Sequence, residues 1–285
     1  MTDRPTVGAA LLGARIRLRQ AGVETAALDA RLLVAHALGL TGTGLIVAEP
    51  APIAAADTDR IDALVARRIT GEPVGRILGR RAFFGLDLAL SPETLEPRPD
   101  TETLVQAVID WAGDHPRPLS IVDVGTGSGA ILLALLAALP GARGVGIDIS
   151  AGAARTAARN AEAVGVASRA LFAVGDATSA LRGPVDVLVS NPPYIPSAAI
   201  AGLSREVREH DPHLALDGGP DGLAFYRQLA GCASELVSPD GAIAVEFGIG
   251  QAESVREIFR AAHLGRLDIV HDLEDRPRVL LARWH

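Results

Sequence analysis

Ile121-Val122-Asp123-Val124-Gly125-Thr126-Gly127-Ser128-Gly129-Ala130 is the stretch that decides how this chain is read. An apolar run meets three glycines at alternate positions, and a run rich in alanine and leucine follows. Strand, tight turn and helix start in that order make the β–turn–α unit of a parallel sheet. Glycine permits positive φ and lets a ligand approach the backbone closely. The helix start beyond it offers N–H groups and a partial positive charge.

Working outward, strands alternate with helices from about Thr101 onward. Candidate strands cover 119–124, 144–148, 170–174, 185–190, 242–247, 267–271 and 278–282. Candidate helices fill 130–139, 151–164, 223–237 and 251–262, and Asp100 is the expected N-cap of a helix running to Trp111. The last two strands have no helix between them and are expected to be antiparallel. The fold class is therefore α/β, with a doubly wound, mostly parallel seven-stranded sheet.

Residues 1–75 show helical periodicity instead. Leu11, Leu12, Ile16 and Leu18 suggest one helix, and Leu28, Leu32, Leu33, Ala35 and Leu38 a second that ends near Gly39. Ile61, Leu64, Val65 and Ile69 mark another face, stopped by Gly71 and Pro73. Three regions follow: a helical bundle over 1–75, a connector over 76–98 with a hairpin at 82–90, and the sheet domain over 99–285. Phe83 and Phe84 read as hairpin packing.

Composition narrows the function classes. Apolar residues make up 48% of the 285, enough for a sizeable core. No apolar run has the length and lack of charge of a membrane span, and Met1-Thr2-Asp3-Arg4-Pro5 lacks a signal-peptide layout. One cysteine, Cys232, excludes an internal disulfide, fits a cytoplasmic protein and reads as a buried, inert thiol. The net charge of −7 opposes broad binding to nucleic acid. All 27 basic residues are arginine, so no lysine is present for a Schiff base or a phosphate loop.

Two acids follow the glycine turn. Asp148 closes the next apolar strand, where a carboxylate can take both ribose hydroxyls of a nucleoside. Asp176 follows the third strand, within reach of an adenine amino group. A plain β–turn–α junction would also carry these glycines. A dinucleotide site wants Gly-x-Gly-x-x-Gly, and Ala130 stands at its third position. S-adenosylmethionine, which has no pyrophosphate, suits Gly125, Thr126, Gly127, Ser128, Gly129, Asp148 and Asp176 as its binding set.

Asn191-Pro192-Pro193-Tyr194 ends the strand at 185–190. Ligands bind at such carboxyl ends in open α/β sheets. Two prolines stiffen the turn and remove two N–H donors, leaving carbonyls free to accept. The Asn amide both donates and accepts, and the Tyr ring supplies a flat wall. The four residues suit a planar group bearing NH2. His210-Asp211-Pro212-His213 has no third or fourth ligand at a standard spacing, so no metal is expected.

Asp123–Gly129, Asp148, Asp176 and Asn191–Tyr194 together resemble the class I methyltransferases that modify amide or exocyclic nitrogen. Leu95-Glu96-Pro97-Arg98-Pro99-Asp100-Thr101-Glu102 resembles the signature of HemK/PrmC-type protein glutamine methyltransferases, with Phe83-Phe84-Gly85 before it. Glu206-Val207-Arg208, Leu214–Gly219, Asp221-Gly222-Leu223, Phe225-Tyr226 and Asp275–Val279 follow in that family's order. The resemblance is close from about residue 80 onward. It implies methyl transfer from S-adenosylmethionine to the Gln of the Gly-Gly-Gln loop of bacterial class I peptide chain release factors. Two positions depart from the family: Glu96, read as a local surface change, and Ala177, which leaves adenine without a stacking partner.

On this reading Asn191, Pro192 and Tyr194 are catalytic. Asn191 also borders the cofactor, and Asn191, Pro192, Pro193 and Tyr194 hold the substrate amide. Asn191 Oδ1 and the Pro192 carbonyl each accept one amide N–H. The alternatives are an adenine methyltransferase of nucleic acid, a glutamine methyltransferase of a ribosomal protein, a nicotinamide-dependent dehydrogenase and a non-catalytic binding module. Arg98 has two readings, holding the connector through a carboxylate or facing the ligand. The segment 196–222 reads as a long loop with little structure, able to line a substrate groove.

Overall fold

The structure, a computed structural model, describes residues 4–113, 117–176 and 183–284. The chain divides into two compact units, Met1–Gly79 and Arg80–His285. Ala177 lies outside the described residues.

The first unit is helical: α1 (Val7–Gln20), α2 (Ala26–Leu38), α3 (Gly42–Val47), α4 (Ala55–Ile69) and α5 (Val74–Leu78). Thr6 and Thr41 cap α1 and α3 by accepting from the Ala9 and Gly44 N–H groups. Gly39, at φ 65°, closes α2 in the left-handed conformation. Leu18, Leu33, Val34, Leu45, Ile61 and Val65 form the core. The expected apolar faces are only partly the buried ones: Leu12, Ile16, Leu28, Leu32 and Ile69 are exposed, while Ala14, Ala30 and Ala37 are buried. Alanines share the inward face with Leu18, Leu33 and Val34, while several other large side chains point outward. A buried ion pair, Arg68 Nε to Asp29 Oδ2 at 2.7 Å, ties α4 to α2.

The second unit opens with a hairpin, β1 (Arg80–Phe83) and β2 (Leu86–Ala89). Its turn residues Phe84 and Gly85 both have positive φ, 48° and 76°, the twist that a two-residue turn needs. Phe83 is buried. A 3-10 turn over Pro99–Thr101 then leads into α6 (Glu102–Ala112). Asp100 is therefore inside a turn and not an N-cap; its carboxylate pairs with Arg278 at 2.7 Å. Glu96, read as a surface change, is buried beside Arg81, 3.2 Å away.

The chain then alternates: β3 (Ser120–Val124), α7 (Ala130–Ala138), β4 (Arg143–Asp148), α8 (Ala151–Val164), β5 (Ala170–Val174), β6 (Val185–Ser190), α9 (Arg205–His210), α10 (Ala224–Leu236), β7 (Val237–Glu246), α11 (Ala252–Ala261), β8 (Arg266–His271) and β9 (Pro277–Arg283). Among the described residues the sheet has seven strands, ordered β5-β4-β3-β6-β7-β9-β8. β3 to β7 run parallel, and β9 is antiparallel to both β7 and β8. β7 begins five residues before the expected 242. The segment 196–222 is more ordered than expected, holding short 3-10 turns at Ser197–Gly202 and His213–Ala215 besides α9. Cys232 is half-buried, donating from Sγ to the Leu229 carbonyl at 3.2 Å.

Both sheet faces are covered, and side chains alternate between them with the period of two that a strand imposes. Ile121, Val187, Val189, Ala242, Ala244, Val279 and Leu281 face a core shared with α6 and α7. Val122, Val124, Leu188, Ile243, Val245 and Leu280 face one shared with Tyr226, Leu229, Val255 and Phe259. Strand order reverses between β3 and β6, and the carboxyl ends flanking such a switch point form a crevice. The glycine turn follows β3 and Asn191 follows β6, so the fold puts both motifs at that crevice.

Candidate active site

The glycine turn folds back on β4: the Gly125 and Thr126 N–H groups both donate to the Ile147 carbonyl, at 2.8 and 3.0 Å. Gly125, Gly127 and Gly129 all have positive φ, 73°, 56° and 83°, so side chains there would strain the turn. Asp148 Oδ2 accepts from Gly127 N–H at 2.8 Å and Oδ1 from Ser150 N–H at 2.9 Å. Its remaining lone pairs are available to a ligand. Asp123 lies beneath, fully buried, and accepts from Thr126 Oγ1 at 2.7 Å. Burial pushes its carboxyl up to about 7, against the pull of that hydroxyl. Asn160 braces the turn from α8, donating to the Ser128 carbonyl at 2.8 Å and bonding both backbone groups of Ala89.

Ser190 and Asn191 carry the other half. Ser190 Oγ donates to the Val124 carbonyl at 2.7 Å, joining the two strand ends. Asn191 Nδ2 donates to Thr101 Oγ1 at 3.1 Å. Among the described residues nothing donates to Asn191 Oδ1 or to the Pro192 carbonyl. The Tyr194 carbonyl accepts from Gln251 Nε2 at 2.9 Å, fixing the turn from the residue that precedes α11. Burial pushes the Tyr194 phenol up to about 12, so it stays protonated and is no base near neutral pH. Glu246, the last residue of β7, is buried directly behind this turn. Burial raises its carboxyl to about 7, countered by the Thr101 hydroxyl, Arg278 and the Asn191 amide.

Two cavities meet here. One of about 360 Å³ is lined by Gly125, Gly127, Asp148, Asp176, Asn191, Pro192 and Pro193, with Glu93 and Phe225 among its other walls. A second, of about 170 Å³, is lined by Arg98, Asn191, Pro192, Tyr194, Leu203 and Val207. Asn191 and Pro192 belong to both, as do Leu95 and Ala215. The first cavity has the size of a small-molecule site. It presents the carboxylates of Glu93, Asp148 and Asp176, and among the described residues no basic side chain lines it. Such a lining opposes a pyrophosphate and fits a ligand that carries positive charge.

Thr126, Ser128 and Gly129 line neither cavity among the described residues. Thr126 bonds Asp123, the Ser128 carbonyl takes Asn160, and Gly129 caps α7, so all three shape the turn. Arg98 pairs with the Asp211 carboxylate at 2.6 Å and also lines the second cavity. Glu93, Thr101, Phe225 and Glu246 were missed from sequence. Glu246 had one signal, a carboxylate at the end of an apolar strand, like Asp148.

Family models match both units of the chain: PrmC N-terminal domain over residues 9–79 and Methyltransferase small domain over 101–214. A release factor glutamine methyltransferase of Rhodospirillum rubrum is 52% identical over 270 residues, covering 94% of this chain and 82% of that protein. One of Bradyrhizobium diazoefficiens is 52% identical over 276 residues, covering 93% of this chain and 92% of its own length. In fold, the chain is similar to a methyltransferase structure from Pyrococcus furiosus, with a TM-score of 0.51 at 16% identity, over 77% of this chain and 96% of that one.

Proposed function

The chain belongs to the release factor glutamine methyltransferase family, and from that premise we propose that it transfers a methyl group from S-adenosylmethionine to the side-chain amide nitrogen of the Gln in the Gly-Gly-Gln loop of bacterial class I release factors. The observation that carries the reading is the meeting of two cavities at Asn191 and Pro192. A methyl donor in the larger cavity and an amide in the smaller would share that pair of residues as their common wall.

The larger cavity suits the cofactor by chemistry. When bound, S-adenosylmethionine supplies an electrophilic methyl group on a positively charged sulfur. Asp148 is the residue for the ribose hydroxyls, Asp176 for the adenine amino group, and the backbone of Gly125 and Gly127 for close approach.

An amide nitrogen is a poor nucleophile because its lone pair is delocalised into the carbonyl. Asn191 Oδ1 and the Pro192 carbonyl are two acceptors without donors of their own, and each takes one N–H of the substrate amide. Holding both hydrogens aims the nitrogen at the methyl group while Tyr194 packs on the amide plane. The rate then comes mainly from positioning. Tyr194 stays neutral and takes no proton; the N–CH3 bond forms as the S–CH3 bond breaks, S-adenosylhomocysteine leaves as the neutral thioether, and the amide proton passes to water.

The helical unit holds the protein substrate in this reading, and the enzyme works in the cytoplasm. Among the described residues no helix is long and apolar enough to cross a membrane. The test is transfer of labelled methyl from S-adenosylmethionine to an unmethylated release factor, beside the same factor with its loop Gln changed to Ala. Label on the first alone supports the reaction and its target residue together. Label on neither, with the cofactor bound, reopens the substrate, and adenine in nucleic acid and ribosomal proteins are tested next.

A further inference from the structure

A carboxylate sits behind Asn191 that methyl transfer itself does not touch. Ser190 on β6 pairs with Val245 on β7, so the next residues along these parallel strands, Asn191 and Glu246, are neighbours. Glu246 is 2% exposed and Thr101, beside both, is 3% exposed. The Thr101 hydroxyl and the Asn191 amide favour the ionised form of this carboxylate against its burial, while Glu246 Oε2 has no partner among the described residues. A buried, under-satisfied carboxylate is a poor stability device. Its presence points to work done elsewhere.

The hydrogen-bond directions say what that work is. An ionised carboxylate only accepts. Asn191 Nδ2 donates to Thr101 Oγ1, which leaves the single Thr101 hydroxyl proton free to turn to Glu246 when that carboxylate is ionised. Asn191 can then meet Thr101 only with its NH2 end, as the 3.1 Å contact from Nδ2 shows. A primary amide that turns NH2 one way turns its oxygen the other. We infer that Glu246, acting through Thr101, is a positioning residue that fixes the Asn191 amide with Oδ1 toward the substrate. The reverse orientation would set an N–H donor against the N–H donors of the substrate amide. This inference rests on the methyl-transfer reading of the same site.

The test is steady-state methylation of a release factor by the full-length enzyme, with cofactor affinity measured alongside by calorimetry. Thr101→Val keeps the shape and removes the hydroxyl. Its kcat should fall on the order of tenfold or more, with cofactor affinity and KM for the factor unchanged, and Thr101→Ser should recover most of the loss. Glu246→Gln, which can donate, should lower kcat similarly and keeps the proposal testable if Thr101→Val does not fold. In an Asn191→Ala background Thr101→Val should add less than about a further twofold, because the two residues act as one unit. Unchanged kcat in both Thr101→Val and Glu246→Gln, equal losses in Thr101→Val and Thr101→Ser, or additive losses in the double variant would overturn it. Wild-type enzyme that binds cofactor but leaves the factor unlabelled overturns the functional reading first, and this inference with it.

Discussion

Ser190 donates its hydroxyl to the Val124 carbonyl at 2.7 Å, so the last residue before Asn191 is bonded to the last residue before Gly125. The glycine turn and the Asn191 turn, to which cofactor and substrate are assigned in the proposed function, are thereby held at one spacing across the switch point of the sheet. Ser190→Ala should cost about 1 kcal/mol of stability from the lost buried hydrogen bond. It should lower kcat several-fold more than that stability change explains, because reaction geometry depends on the spacing. Denaturant unfolding and labelled transfer check the two effects. A loss of stability with unaltered kcat would show that the bond serves the fold alone.

Asn191→Ala removes the acceptor proposed for the substrate amide. Misplacement by about 1 Å is enough for a loss on the order of 100-fold in rate, so turnover should fall at least that far. Cofactor affinity should largely survive, since Asp148, Asp176 and the glycine turn are untouched. Near-normal turnover in this variant would refute the assigned roles.

Asp148→Asn tests the cofactor end. Asp148 accepts from two backbone N–H groups, of Gly127 and Ser150, and an amide replaces one acceptor with a donor. The turn must shift or the amide must face a donor, so cofactor affinity should weaken on the order of tenfold or more. With saturating cofactor, kcat should recover toward wild type. Calorimetry showing unchanged affinity would remove Asp148 from the cofactor site.

Much of this is legible in the sequence. β3 and β6 are apolar runs closed by a glycine turn and by a proline pair, and those stops mark their ends within a residue or so. The helical unit was harder to read. Leucine spacing suggested the inward faces of α1 and α2, yet Leu12, Ile16, Leu28 and Leu32 point outward while Ala14, Ala30 and Ala37 are buried. Periodicity reports that a helix has faces; in an alanine-rich pair it does not say which one packs. Asp100 looked like a cap because its residue type favours one, but Pro99 opens a 3-10 turn and Arg278 claims the carboxylate. Thr101 stands inside the Leu95–Glu102 signature and Glu246 inside the apolar run at 242–247, and neither position alone points to the other. What joins them to Asn191 is strand register, which no single stretch of sequence encodes.

Glu246 also makes a prediction about stability that runs opposite to its effect on rate. Its folded carboxyl is raised from 4.5 to about 7 by burial, so between those values the folded protein holds a proton that the unfolded chain has released. Stability from this group is present below about pH 4.5 and is lost as pH rises through 7. The groups facing it are Thr101, Asn191, Arg278, Asp100, Tyr194 and Tyr226, of which the cation Arg278 favours ionisation and Asp100 opposes it. Asp186, whose burial is outweighed by Arg117 and Ser120, is lowered from 3.8 and loses its contribution only at more acid pH. Glu246→Gln cannot ionise. It should therefore be more stable than wild type at pH 8, by on the order of 3 kcal/mol, and the difference should vanish near pH 4.5. Melting temperatures of the two proteins from pH 4.5 to 8.5 measure this directly. A gain in stability at pH 8 alongside a loss of kcat would mean that the carboxylate is kept for orientation at the expense of the fold; equal stability at every pH would mean that Glu246 is not buried as a charge.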